Sequence, residues 1–199
     1  MDTATILECI HLWSEVHKDG RLLVDYFSQG NCFLLDKPEK VVNSNSLHVY
    51  PGIFQGDLMF FVIPEEYDKE EYSAVIDQYV TVCPVSWRVA GIHTISASEA
   101  NYRIKLWEDN YETWVPEQAS TVDGVFLAFD VAVIDFEEDT SEMILALKPN
   151  GQQGIAYDAD LIVEGMSPTS TSIKYDDYVR SVPPYSPAAM SSSFYLLNP

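Results

Sequence analysis

Apolar residues at Ile6, Cys9, Ile10, Trp13 and Val16 recur at three- and four-residue intervals, the spacing of one helix face. Thr5 and Glu8 have capping-box spacing, so the pattern predicts a helix over about residues 5–18, ended by Gly20. A second stripe, Ala100, Ile104, Trp107, Tyr111 and Trp114, follows Ser96 and Glu99 at the same box spacing. It predicts a helix over about residues 97–114, stopped near Pro116.

Elsewhere the apolar positions come as short runs broken by turn residues, which is strand and hairpin patterning. Arg21–Phe27 and Cys32–Leu35, around Ser28-Gln29-Gly30-Asn31, predict one hairpin. Leu47–Phe54 and Leu58–Ile63, joined by Gln55-Gly56-Asp57, predict a second, bent or bulged at Pro51-Gly52. Val125–Phe136 and Met143–Leu147, around Glu137-Glu138-Asp139-Thr140, predict a third. Between them, 65–78 opens with five acids in seven positions and reads as a short helix; Gln78–Val85 and Trp87–Thr94 return to strand character. Leu161–Val163 and Ile173–Val179 add shorter strands.

The expectation is an α+β fold: one domain over 1–165, mostly antiparallel sheet built from hairpins, with two longer helices. From Met166 onward eight Ser and five Pro mark an extended Ser/Pro/Tyr-rich tail, 166–199. Its apolar end, Phe194-Tyr195-Leu196-Leu197, predicts an anchor on the domain or on a neighbouring subunit. At 199 residues, 47% of them hydrophobic, the chain is long enough to bury roughly 70% of its unfolded surface. Repeats and domain linkers are absent from the sequence.

Charge narrows the partners. The net charge is −20; residues 106–173 hold fourteen acids against the single base Lys148, while residues 1–60 hold eight against four. Such a surface repels phosphate backbones and anionic lipid, so direct nucleic-acid or membrane binding is not expected. No apolar run reaches the 18 or so residues of a membrane span, and Asp2 and Glu8 sit where a signal peptide needs bases. The expected chain is soluble, not secreted through a signal peptide, and cytoplasmic or assembled within a particle. Cys9, Cys32 and Cys83, widely spaced and odd in number, read as buried free thiols.

Chemistry-bearing patterns are sparse. Asp135, Glu137 and Asp139, with Glu138 and Glu142 nearby, offer hard oxygens to Ca²⁺ or Mg²⁺, but without the glycine and alternating acids of an EF-hand they read as a solvated turn. Asp158 and Asp160 resemble the short acidic pair with which some glycosyltransferases hold a metal. His11 and His17 lie about 120° apart around a helix, not stacked as a metal pair, and His48 and His93 show no partner. A nucleophile elbow, a P-loop and a dinucleotide fingerprint are all missing, so no cofactor is expected. The stripe Trp107, Tyr111, Trp114 reads as core before ligand platform.

The interaction candidates are in the tail: Tyr185 beside Pro183-Pro184, then Phe194, Tyr195, Leu196 and Leu197, with Tyr175 and Tyr178 upstream. The leading expectation is a non-catalytic protein-interaction protein, a structural or assembly subunit of a larger complex such as a viral particle or secretion machine. Its partners are proteins, possibly copies of itself. The alternatives are an acidic inhibitor or immunity protein that blocks a basic partner, and a carboxylate- or metal-dependent hydrolase or transferase.

Overall fold

A computed structural model describes residues 1–36, 44–87, 96–132, 140–150, 156–166, 174–176, 179–182 and 194–197. Three α-helices, α1 (Thr3–Val16), α2 (Gly20–Phe27) and α3 (Ala97–Ala119), accompany nine strands. These are β1 (Cys32–Asp36), β2 (Ser46–Phe54), β3 (Asp57–Pro64), β4 (Thr81–Pro84), β5 (Ala128–Ala132), β6 (Thr140–Pro149), β7 (Tyr157–Met166), β8 (Lys174–Asp176) and β9 (Val179–Val182). They form two antiparallel sheets, β1-β6-β7-β8 and β4-β3-β2-β5-β9, in a single α+β domain.

Alternation along the strands makes the layers. In the five-stranded sheet Leu47, Val49, Leu58, Phe60, Val62, Phe129 and Val131 face inward and meet Phe33, Leu35, Met143, Leu145, Leu161 and Val163 of the four-stranded sheet in one core. Phe33 stacks on Phe60 across the gap at 4.2 Å. The five-stranded sheet's other face, Tyr50, Phe61, Ile63, Ala128 and Val182, takes Ile6, Cys9 and Ile10 of α1 and the chain's end, Phe194 and Leu196. The four-stranded sheet's other face, Cys32, Ile144, Ala146, Ile162 and Tyr175, takes Ala100 and Ile104 of α3. Trp13, Phe27, Trp107 and Phe126 close one end edge to face and stacked. Among the described residues no helix is long and apolar enough to cross a membrane.

Several sequence expectations are corrected. Arg21–Phe27 is helix, not a hairpin strand: Asp19 caps it by accepting from the Leu22 N–H at 3.1 Å, and Leu23 and Phe27 are buried four residues apart. A short apolar run carries no period of its own, and here the cap decides it. Gly20 therefore opens α2 and does not end α1, whose own cap is Asp2, accepting from Thr5, instead of Thr5 itself. Pro51 neither bends nor bulges β2, which pairs in continuous register from Leu47↔Pro64 to Phe54↔Asp57. β5 pairs with β2 only over Ser46–Val49, so on that side Pro51 has no neighbour that needs its missing N–H.

The third hairpin does not form, because β5 and β6 belong to different sheets; β6 instead pairs with β7 over ten residues each. The acidic stretch 65–78 winds as three 3-10 turns, Glu65–Tyr67, Glu70–Tyr72 and Ile76–Gln78. Most of the expected strand Trp87–Thr94 lies outside the described residues.

α3 starts where expected, with Ser96 accepting from the Glu99 N–H, but runs through Pro116 to Ala119. Its last turns rest on α2 where Gly20 leaves no room: a Cβ there would lie 2.5 Å from Pro116 Cα. Gly20→Ala gains about 0.5–1 kcal/mol of helix preference but forces two backbones apart. The expected net result is a loss of about 1–3 kcal/mol, read as a lower urea midpoint; a raised midpoint would refute this account of the contact.

Candidate functional site

His48 and Tyr50 alternate onto the outer face of β2 among apolar neighbours, and both are buried. They meet Asp68, which follows the first 3-10 turn and is only 1% exposed. His48 Nδ1 lies 2.6 Å from Asp68 Oδ2, so the ring donates there, and the Tyr50 hydroxyl donates to the same oxygen. Asp68 Oδ1 accepts from the Leu196 backbone N–H at 3.1 Å. One carboxyl group thus joins strand, acidic turns and chain end. Phe194 completes the arrangement by stacking on the His48 ring at 4.0 Å and standing edge-on to Tyr50 at 5.9 Å. Burial, reinforced by Asp68, pushes the Tyr50 hydroxyl well above its ordinary pKa of 10.0, so it serves as a donor.

Outside this hub the acidic turns carry three half-exposed tyrosines in mutual contact. Tyr67 and Tyr79 stack at 3.9 Å and 13°; Tyr72 stands edge-on to them at 5.2 and 5.7 Å. Glu66 beside Tyr67 raises that hydroxyl's pKa. Glu70 and Glu71 are exposed, Asp77 half-buried, and Glu65 accepts from Ser46 Oγ at 3.0 Å. Ile76, fully buried, ties the far end of the segment to the core.

The outer face of the four-stranded sheet holds a second polar group. Glu142 and Glu164 sit opposite each other in register and are buried. Cys32 Sγ donates to Glu142 Oε1 at 2.9 Å, and the Tyr175 hydroxyl donates to Glu164 Oε2 at 2.8 Å. Asp160, on the same face, is held by Arg103 Nη1 at 3.1 Å, and Asp158 accepts from Asn150 Nδ2 at 3.0 Å. The metal candidates Asp158 and Asp160 are therefore engaged with cationic and amide donors. Asp135, Glu137 and Asp139 lie outside the described residues, and among the described residues no three His, Cys, Asp or Glu converge as a metal site.

Of the tail candidates, Phe194 and Leu196 are buried on their own chain, Tyr195 and Leu197 are half-buried, and Tyr185 and Tyr178 lie outside the described residues. Leu196 and Leu197 line a groove of about 340 Å³ with Leu7, Ile10 and His11 of α1. Trp107 and Trp114 are core, and Trp114 Nε1 donates to the Tyr157 carbonyl at 2.9 Å. All three cysteines are buried free thiols. His17 has its pKa lowered by burial, with Nδ1 2.6 Å from the Ser14 carbonyl oxygen; His11 pairs with exposed Glu15, and His93 lies outside the described residues. The His48–Asp68 pair escapes sequence reading because its members are twenty positions apart. The one available signal is a polar residue on an otherwise apolar strand.

Comparison with protein-family models, curated proteins and solved structures finds no match.

Two measurements test the hub. Asp68→Ala removes the carboxyl group shared by His48, Tyr50 and the Leu196 amide. It should cost about 3 kcal/mol and speed hydrogen exchange at the Leu196 amide; wild-type exchange there would refute the link between turn and chain end. At high pH the unfolded chain releases the Tyr50 proton near 10.0 while the folded chain retains it, so stability falls as pH rises past that value. Tyr50→Phe should flatten this alkaline loss in urea titrations between pH 9 and 11, and an unchanged slope would contradict the assignment.

Proposed function

We propose that this chain is a non-catalytic protein-interaction protein that holds a basic protein partner by charge complementarity, as an inhibitor or immunity protein does. The observation that supports this reading is where the acids sit. α3 is a 23-residue helix, and its outward stripe carries Glu108, Asp109 and Glu112, with Glu117 exposed further on. The base in that stripe, Lys105, is already bonded to Asp109 at 2.9 Å. Exposed Glu70 and Glu71 extend the acidity to turns pinned by Asp68. Charge on rigid elements keeps a fixed potential and steers an oppositely charged partner.

A subunit joined to its neighbours through the tail is the other protein-binding reading. It draws on an apolar chain end available to another copy, whereas Phe194 and Leu196 are buried against their own chain's α1 and β2. The acidic surface, which repels phosphate, favours a protein partner over a nucleic acid.

The test is a capture of the partner on the full chain, followed by kinetics with both purified proteins. A partner of high pI is expected, with an association rate that falls about tenfold or more between 0.05 and 0.5 M salt while dissociation changes little. An acidic partner, or association indifferent to salt, would refute the proposal.

A further inference from the structure

We infer that Tyr67, Tyr72 and Tyr79 together with Glu66 form the anchor for an arginine side chain of that basic partner. The inference rests on the reading above and names the point of contact.

Three features meet there. The rings make a continuous patch of aromatic face and edge, half-exposed and backed by the core beneath the outer face of the five-stranded sheet. Their backbone is held before any partner arrives, by Asp68 at one end and buried Ile76 at the other, so binding orders little. Tyrosine adds to this economy because two torsions place a large amphipathic ring.

The second feature is electrostatic. The segment 65–78 carries six acids against Lys69, and Glu70 and Glu71 reach solvent in the same turn that carries Tyr72. The third is Glu66, whose carboxylate borders the Tyr67 hydroxyl and places an acceptor beside the rings. A guanidinium meets both demands at once. Its plane lies on a tyrosine face, and its forked N–H groups reach a carboxylate. An ammonium supplies charge but neither plane nor fork, so the site distinguishes arginine from lysine.

The experiment uses the full chain and two probes, octa-arginine and octa-lysine, titrated calorimetrically at about 0.1 M salt. Octa-arginine should bind about threefold tighter or more. Tyr72→Leu, which keeps apolar bulk, and Glu66→Gln should each abolish that preference while leaving octa-lysine binding within about twofold. The double variant Glu112→Gln/Glu117→Gln on α3 should weaken both probes alike and keep the preference. Equal binding of the two probes by the wild-type chain overturns the inference whatever the variants do, and leaves the charge reading standing. A preference that survives Tyr72→Leu in a variant of unchanged melting temperature also overturns it. Failure of both probes to bind overturns the charge reading itself.

Discussion

A carboxyl group sealed from water must find its hydrogen bonds inside the protein, and Asp68 finds three on two separate stretches of chain. That constraint organises the outer side of the five-stranded sheet. The donors, His48, Tyr50 and the Leu196 amide, come from β2 and from the chain's end, so the acidic turns cannot lift away without stranding a strand residue and the terminus together. The stacking of Phe194 on His48 adds apolar burial to the same joint. A segment of short 3-10 turns has little cohesion of its own. Its shape here is borrowed from the sheet, through Asp68 at one end and buried Ile76 at the other.

The opposite side of the molecule solves a similar problem differently. Glu142 and Glu164 face each other across β6 and β7, a like-charged pairing that an exposed sheet would disfavour. Each has a separate donor, Cys32 for one and Tyr175 for the other, and Arg103 of α3 reaches Asp160 on the same face. Acceptors there draw on different donors, and Arg103, bonded to both Glu99 and Asp160, ties α3 to its sheet, whereas at Asp68 several donors share one carboxyl group. Loss of one pair is a local matter; loss of Asp68 is felt in three elements.

How far the sequence discloses this follows from the range of each interaction. Ser96 and Glu99 signal the start of α3 because a helix cap is settled within four residues. The hairpin of β2 and β3 is legible for the same reason: Gln55 and Gly56 take the positive φ values of 54° and 94° that a two-residue turn requires. α2 misleads because seven apolar-rich residues fit either period; the Asp19 cap decides for helix, and the contact of Phe27 with Trp107 at 4.9 Å, eighty positions away, fixes where it packs. The β5–β6 hairpin misleads because proximity in sequence stands in for sheet membership, which long-range pairing decides. Of the candidate site, the acidity of 65–78 is visible in composition, while the mutual contact of Tyr67, Tyr72 and Tyr79 depends on turns that Asp68 ties to His48 and Leu196, partners remote in sequence.

This division bears on how an acidic surface acts. Net charge of −20 opposes compaction through self-repulsion, so the chain bears a standing cost that a counter-charged partner relieves. Charge on the outward face of α3 works at a distance and is screened within about 10 Å at ordinary salt, which suits it to raising encounter rates. It does little to hold a partner once docked, because exposed ion pairs are worth at most about 1 kcal/mol each. Retention requires desolvated contact, and in the proposed reading the half-exposed tyrosines at the turns that Asp68 fixes supply it. In the proposed reading steering and retention fall to different elements, one a long helix packed on its sheet, the other a set of turns held by Asp68 and Ile76.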